Sequence, residues 1–550
     1  MPQTAQHNVS PPAQSPLAPL RHPNFRLIWT ATTVSNLGSL IQGVGASWKM
    51  AELTPSEAMV ALVQASTTLP IMVLAIAAGA IADNFDRRKV MLAAQCFMLA
   101  VSVALSLAAW FDLLNPISLL AFTFCLGLGG AMNLPSWQAS MRDLVPRNDL
   151  PAAITLNSMS FNLMRSVGPA LGGIIVASLG AAAAFGLNAV SYLAVIYALI
   201  RWRPAHEERL LPAEALGPAI WAGLRYVSLS PNLVRVMARA LMFGFAAVAV
   251  MALLPVITRD QLGGDATTFG LTLGAFGLGA LGGALVSPTV RRALTIEKIV
   301  AGGCLCFAAG TALLGLATSL LAAVPGLMLC GAAWVLVLSH FNVSTQLAAP
   351  RWVVGRALAI YQTMAFGGMA VGAWVWGFVS EQASIPTALY AAAAMLLITA
   401  IVGLVLPMPN LNDVNLDPAN RFNAPALRLD LRARSGPIMI MVDWDIPPEN
   451  TEAFLRLMAS RRSFRRRDGA RQWVLMRDLE NPDIWVESYH VATWTEYLRH
   501  NHRRTENDAV NTDELMKLHR GPGRPHVHRM IERHAVPLRD DLPPLDPPAE

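Results

Sequence analysis

The sequence predicts an all-α membrane protein of twelve transmembrane helices, arranged as two six-helix repeats, followed by a C-terminal α+β domain. Three observations predict it. Long apolar runs succeed one another, the first half matches the second at a single offset, and the composition changes near residue 410. The chain has 550 residues, 54% hydrophobic and 14% charged, whereas an ordinary soluble domain is about a quarter charged. The depletion is uneven. Residues 414–550 hold 21 of the 42 Lys and Arg and 21 of the 36 Asp and Glu. The apolar part therefore carries all of the net +6, and the tail is neutral.

A helix needs roughly 20 apolar residues to cross about 30 Å of hydrocarbon. Such runs stand near residues 26–48, 58–82, 90–111, 117–141, 152–178 and 181–201. After a polar gap they return near 237–257, 268–290, 297–318, 321–347, 355–379 and 386–407. None is polar enough on one side to make the solvent face of a soluble bundle. The first residues lack the charged region and cleavage site of a signal peptide. The predicted organisation is a flexible tail (1–20), a first six-helix bundle (21–202) and a cytoplasmic connection (203–233). A second bundle (234–408), a linker (409–429), a folded cytoplasmic domain (430–536) and a flexible end (537–550) follow.

Loop charge sets the expected orientation. Eighteen Lys and Arg, among them Arg87, Arg88, Lys89, Arg142, Arg225, Arg239, Arg291 and Arg292, fall on one side. Only Lys49 and Arg259 fall on the other. Both termini are therefore expected in the cytoplasm of a cell whose inner, plasma membrane the chain spans. The insertion rule accounts for the basic loops without a nucleic-acid partner. Cys96, Cys125, Cys304, Cys306 and Cys330 all lie in apolar runs and read as small packing residues.

An offset of 204 residues matches the halves, with no gap needed across almost 100 residues. Gly79 maps to Gly283, Arg87-Arg88 to Arg291-Arg292, Gly127 to Gly331, Pro146-Arg147 to Pro350-Arg351, Gly168 to Gly372 and Gly173 to Gly377. Two six-helix units in the same orientation can rock about a shared interface and open a central cavity to either side in turn.

Two segments carry the mechanism. The first is Gly79-Ala-Ile-Ala-Asp83-Asn-Phe-Asp-Arg87-Arg88-Lys89. Gly79 permits close helix approach, and Asp83 at a helix end can accept bonds from a neighbouring terminus or an Arg. The second is Arg165-Ser-Val-Gly168-Pro169-Ala-Leu-Gly172-Gly173. Gly168 and Gly172 share one helix face, so a partner backbone can pack against it. Pro169 removes a backbone hydrogen bond and leaves the helix bendable. These residues are the expected conformational gates.

The first segment resembles the loop signature between helices two and three of the major facilitator superfamily, with Asn84 where a base is usual and Asp86 where Gly is usual. The second resembles the Gly-Pro-x-x-Gly-Gly signature of many exporters of that superfamily. Leu144-Val-Pro-Arg-Asn-Asp-Leu-Pro-Ala-Ala153, with Phe25-Arg-Leu-Ile-Trp29 and Val34-Ser-Asn-Leu-Gly38, is similar to the branch of siderophore-secreting permeases, the transmembrane secretion effectors. The resemblance covers about residues 20 to 408. It implies a secondary transporter that exports small amphipathic molecules (drugs, siderophores or metabolites) by alternating access, coupled to protons. Much of the branch has an Asp after the Gly of the first span, where this chain has Ser39.

No Asp or Glu stands deep in the predicted spans, so the acid expected of a proton carrier is missing. The deep ionisable residues are Arg165 and His340. Charge inside a membrane is costly and usually functional. Arg165 is either a ligand contact or a partner for helix-end carbonyls and amides. His340 is either a packed core residue with one hydrogen bond or a proton site. With Asn36, Gln42 and Gln138 they make the set of substrate or coupling candidates.

In the tail, Gly436–Ile446 reads as a strand and Asn450–Arg466 as an amphipathic helix. Strands at Arg471–Arg477 and Asp483–Val491, a helical stretch at Thr493–Leu518 and a last strand at Pro525–Arg533 follow. The order β-α-β-β-α-β is ferredoxin-like. It resembles the small dimeric domains of the antibiotic-biosynthesis monooxygenase type, which implies a homodimer through this domain. His526 and His528 share a strand face and could reach one ligand, but histidines beside arginines read as surface residues. No catalytic residue, metal or cofactor is expected. The alternative is a membrane-anchored enzyme or sensor whose active part is the tail. An anchor needs neither the double repeat nor the two helix signatures, so transport is the preferred reading.

Overall fold

A computed structural model of the chain describes residues 17–146, 149–202, 216–350, 352–409, 415–419, 421–425, 427–429, 431–432, 434–521 and 523–532. The side chains of Gly79, Asp83, Asn84 and Arg142 lie outside the described set. The chain forms two compact units. One comprises residues 1–214, 235–343 and 359–408, and the other comprises 215–234, 344–358 and 409–550.

The first unit is helical. Its elements are α1 (Pro23–Leu53), α2 (Glu57–Asn84), α3 (Arg87–Trp110), α4 (Pro116–Leu144) and α5 (Leu150–Arg201). After α6 (Leu216–Ser228) come α7 (Pro231–Val256), α8 (Ala266–Ala293), α9 (Ile296–Leu316), α10 (Leu320–Leu347), α11 (Val354–Gln382) and α12 (Ile385–Val405). Ten described helical segments are long and apolar enough to cross a membrane. One of them, 152–201, runs through Gly180, whose φ of 80° breaks α5 in two. Only glycine adopts that backbone freely, so the chain turns there. α1 spans 31 residues but carries Asn36, Ser39, Gln42, Lys49 and Glu52, and stands outside the ten.

The offset of 204 recurs in three dimensions. Added to α4 it gives 320–348, against 320–347 for α10. Added to the halves of α5 it gives 354–383 and 385–405, against 354–382 for α11 and 385–405 for α12. Gly127 of α4 packs on Thr67 and Pro70 of α2, and its equivalent Gly331 of α10 packs on Phe276 of α8. Small residues let helix backbones approach where lipid supplies no hydrophobic drive.

Caps explain several boundaries. Asp86 accepts from the amides of Arg88 and Lys89 and starts α3. Its presence where glycine is usual thus gives α3 an N-cap. Asp265, Thr295 and Ser384 cap α8, α9 and α12 in the same way.

The second unit contains a four-stranded antiparallel sheet of β1 (Ile438–Asp445), β2 (Arg471–Arg477), β3 (Ile484–Val491) and β4 (Val527–Ile531), in the order β2-β3-β1-β4. Helices α13 (Thr451–Arg467), α14 (Trp494–His502) and α15 (Glu506–Leu518) complete it. The expected single stretch 493–518 is two helices. Thr505 restarts the chain with a capping box to Asp508. Ile438, Ile440, Val442 and Trp444 of β1 alternate into a core with Phe454, Met458, Trp485, Tyr489, Tyr497 and Leu515.

Two expected spacers are structured. The connection 203–233 contains α6, whose Tyr226 packs edge-on against Trp352 at 5.3 Å within this unit. The part of the linker that is described runs along the tail. The amide of Ala419 donates to Arg504, and the amides of Glu506 and Asn507 donate to Asp417 and Asn415.

Candidate functional site

The two repeats of the membrane unit meet through small residues. A Cβ added to Gly173 of α5 would lie 2.6 Å from the Cα of Gly270 on α8. One added to Gly377 of α11 would lie 2.6 Å from the Cβ of Ala61 on α2. Around the same end, Trp48 of α1 stacks on Phe269 of α8 at 5.9 Å. Ser56 donates to Glu381 at 3.1 Å, Ser380 donates to Glu57, and Arg259 donates to the carbonyls of Ala51 and Thr54. These contacts close the end that carries the α1–α2 and α7–α8 turns.

Gly168 and Gly172 face another way. Their Cβ positions would meet Leu40 and the backbone of Ile41 on α1, both within the first repeat. The Gly-Pro-x-x-Gly-Gly segment therefore has two working faces. Gly168 and Gly172 hold α1, while Gly173 touches the other repeat. Pro169 lies buried between them, and its carbonyl oxygen faces Gly270.

Arg165 sits at mid-length in the first part of α5. Its guanidinium lies over the Trp334 ring of α10, 5.6 Å from the centroid. Trp334 belongs to an aromatic cluster with Phe243, Phe276 and Phe307. The cation thus spans the two repeats by a cation–π contact. Asp143, an acid near enough in sequence to compensate it, is engaged instead by Arg87 at 3.0 Å. Arg88 donates to the carbonyls of Leu199 and Ile200, which ties the start of α3 to the end of α5. Gly79 and Asp83 lie outside the described side chains.

The remaining candidates separate. Gln42 is buried in the first repeat, where its carbonyl accepts from Ser102 at 3.2 Å and from Asn188. Ser39, standing where the branch often has Asp, donates to Asn188 at 3.4 Å. Asn36 is half-buried and Gln138 exposed. His340 is 3% exposed, and its Nδ1 bonds the Leu336 carbonyl at 2.6 Å while Nε2 has no partner.

Arg239, expected among the loop charges, stands elsewhere: α7 begins at Pro231, so Arg239 is inside the helix and fully buried. It bonds Glu297 at the start of α9, and Glu297 also accepts from the amide of Met408. Nothing local in the sequence reveals this pair, because its members are far apart along the chain.

In the tail, Asp443, His526 and His528 are the described group able to hold a metal ion. His528 Nε2 lies 2.9 Å from His526 Nδ1 and 3.0 Å from Asp443. They already satisfy one another as a hydrogen-bonded chain.

A bundle of two related helical repeats, pinned together at one end, is the architecture of a membrane transporter. The comparisons agree. The chain belongs to the transmembrane secretion effector family of the major facilitator superfamily, whose family model matches residues 14–536. It is 25% identical over 432 residues to the multidrug efflux pump Tap of Mycobacterium tuberculosis, covering 74% of this chain and 98% of that one. It is 27% identical over 364 residues to the enterobactin exporter EntS of Escherichia coli, covering 65% and 85%. It is 25% identical to the staphyloferrin A transporter of Staphylococcus aureus, spanning 46% of this chain and 64% of that relative. Among solved structures, a POT family transporter in complex with 5-aminolevulinic acid superposes with a TM-score of 0.58 at 11% identity, over 71% of this chain and 96% of that one. A bacterial homologue of the lysosomal transporter Spinster, inward-facing and occupied, gives 0.58 at 14% identity, over 72% and 98%. These two likenesses show the fold. The protein is a multi-pass membrane transporter of an efflux family, and its relatives are transporters, not enzymes.

Proposed function

We propose that the protein exports small amphipathic molecules, such as drugs, siderophores or other metabolites, from the cytoplasm by proton-coupled alternating access. The observation that carries the reading is the junction of the two repeats. Glycine contacts pin one end, and Arg165 bridges to Trp334 in the interior. The α1–α2 and α7–α8 turns lie opposite the basic loops. With both termini cytoplasmic, the pinned end is the outer one, which makes this an inward-facing arrangement. Twelve spans follow if α5 counts as two helices broken at Gly180 and α1 as one. The acids of this unit sit at helix ends, so His340, with its unpartnered buried Nε2, is the proton site. The relatives named for siderophore export and multidrug efflux supply the substrate class.

The tail is a ferredoxin-like domain, supported by its sheet order and by helices on one face. It self-associates through the opposite face, where Val474, Met476 and Met530 are 48%, 41% and 48% exposed. Sedimentation of the purified protein in neutral detergent checks this: a V474E/M476E/M530E triple variant should shift to monomer.

Efflux from proteoliposomes, measured for a panel of siderophores and fluorescent drugs with and without a proton uncoupler, tests the transport reading. Export of a panel member that collapses with the uncoupler supports it. Gradient-independent leakage equal to empty vesicles overturns it.

A further inference from the structure

The tail holds a partly open cavity of about 540 Å³ that the transport reading leaves unused. Its origin lies in one face of α13. Phe454, Met458, Arg461 and Arg465 follow one another at helical spacing and are all buried against the sheet. The first two are ordinary core residues, and the last two bring guanidinium groups to positions where a helix normally places apolar side chains. Arg461 lies over Trp444 at 5.4 Å, and Arg465 over Tyr489 at 4.5 Å.

One carboxylate answers both. Glu487 points inward from β3 and is fully buried. It accepts from Arg461 at 2.7 Å, from Arg465 at 3.1 Å and from the Trp473 indole at 3.1 Å. Burial alone would raise its pKa, but the two arginines override that and bring it down to about 2. It is therefore ionised, and it offsets only one of the two cations.

More positive charge converges on the same space. Arg504 lines the cavity, its guanidinium makes no hydrogen bond among the described residues, and Glu487 offsets its charge only from a distance. Burial, and then the neighbouring Arg465, lower its pKa to about 10, still charged at neutral pH. Arg524 lines the rim and is exposed. Arg421 and Arg529 complete the ring. Arg421 is paired with Asp513 at 2.9 Å, and Arg529 donates to the Tyr497 hydroxyl at 2.7 Å. The walls between the charges are flat and aromatic: Phe422, Trp444, Tyr489 and Tyr497.

Arg504 is half-buried, and a cation without a hydrogen-bonded partner becomes costly as it is withdrawn from water. Guanidinium groups match carboxylate, phosphate or sulfonate oxygens bidentately, and the volume suits a ligand of drug size. We infer that the tail domain is a binding module for a small organic anion with an aromatic body, whose acidic group docks between Arg504 and the Arg461–Arg465 pair. Phe422 and Arg421 come from the segment that follows α12, so that segment forms part of the wall of the site. The site lies wholly within the second unit, and it does not depend on the exporter reading.

The test uses the full-length protein in neutral detergent and isothermal titration calorimetry. The probes are 2-naphthoate and its neutral isostere 2-naphthamide. Saturable naphthoate binding near one per chain is expected, with the amide at least tenfold weaker. Arg504→Gln should weaken naphthoate at least tenfold and leave the unfolding temperature unchanged or higher, because it removes a cation without a hydrogen-bonded partner. Arg524→Gln, at the exposed rim, should weaken it severalfold without touching the fold. Arg456→Gln, exposed on α13, should change nothing. Absence of saturable binding, equal binding of the amide, or wild-type affinity in both Arg504→Gln and Arg524→Gln would overturn the proposal.

Discussion

Arg165 and Arg239 show how the same residue type is satisfied in two ways inside one membrane unit. Arg165 has an aromatic ring across the repeat boundary, and Arg239 has an acid within its own repeat. The first arrangement can form and break as the repeats move, because a cation–π contact holds no second charge in place. Arg165→Lys keeps the charge but loses the planar face, so efflux should fall while abundance stays normal. Arg165→Ala should abolish efflux, and wild-type efflux at normal abundance would show that the contact is incidental. The Arg239–Glu297 pair is structural. Glu297→Gln leaves a buried cation without its partner, a change that costs about 3–5 kcal/mol in a fully buried pair and less here, since Glu297 is 28% exposed. Thermal unfolding in detergent should show Glu297→Gln as the less stable single variant and Arg239→Met/Glu297→Gln as partly restored. Deep Arg165 was legible from its position in an apolar run. Arg239 was not, because it stands only two residues inside the predicted run and eight inside the helix that forms.

At the scale of elements, α5 does two jobs with adjacent residues. Gly172 rests on α1 within its repeat, and Gly173 touches Gly270 across the boundary. Substitution should therefore separate folding from gating. Gly172→Leu forces α1 and α5 apart, an overpacking that typically costs about 1–3 kcal/mol, so abundance and efflux should fall together. Gly173→Leu wedges the closed end open. It should leave the protein inserted and lower efflux at least tenfold, with accessibility of a Cys at position 48 to a bulky outside maleimide rising. Unchanged efflux and labelling would show that α5 and α8 need not approach. Most helix positions and the succession of strands were readable from local periodicity, and the offset of 204 from matching residues along the chain. What stayed hidden was long-range pairing. The amphipathic α6, the restart at Thr505 and the linker bonded to the tail all depend on partners distant in sequence.

At the scale of the whole molecule, the tail belongs to a unit that includes α6 and residues 344–358, segments continuous with α7, α10 and α11. Arg467 lies over Tyr226 at 4.9 Å and Arg503 over Trp352 at 4.2 Å. Arg467 also bonds Asp468 and Asp508, and Asp468 neighbours His500, whose ring takes Arg465 at 3.0 Å. This cluster makes the unit sensitive to acid in a defined sequence. Burial, and then Arg465, hold His500 well below the usual 6.5, so the folded state binds fewer protons than the unfolded state. Its contribution is complete above 6.5 and is lost as pH falls below it, at up to about 1.4 kcal/mol per pH unit. Burial raises Asp468 to about 6, against 3.8, so between those values acidification favours the folded state and opposes His500. Glu487, held at about 2 by its arginines, loses its contribution as pH falls from 4.5 toward 2. Protection of residues 436–531 from hydrogen exchange, corrected for intrinsic rates, should therefore drop between pH 6.5 and 6, level off toward 4.5, and collapse below it. His500→Gln should remove the first drop and keep the last. A single smooth decline in both proteins would show that the three groups do not govern the tail.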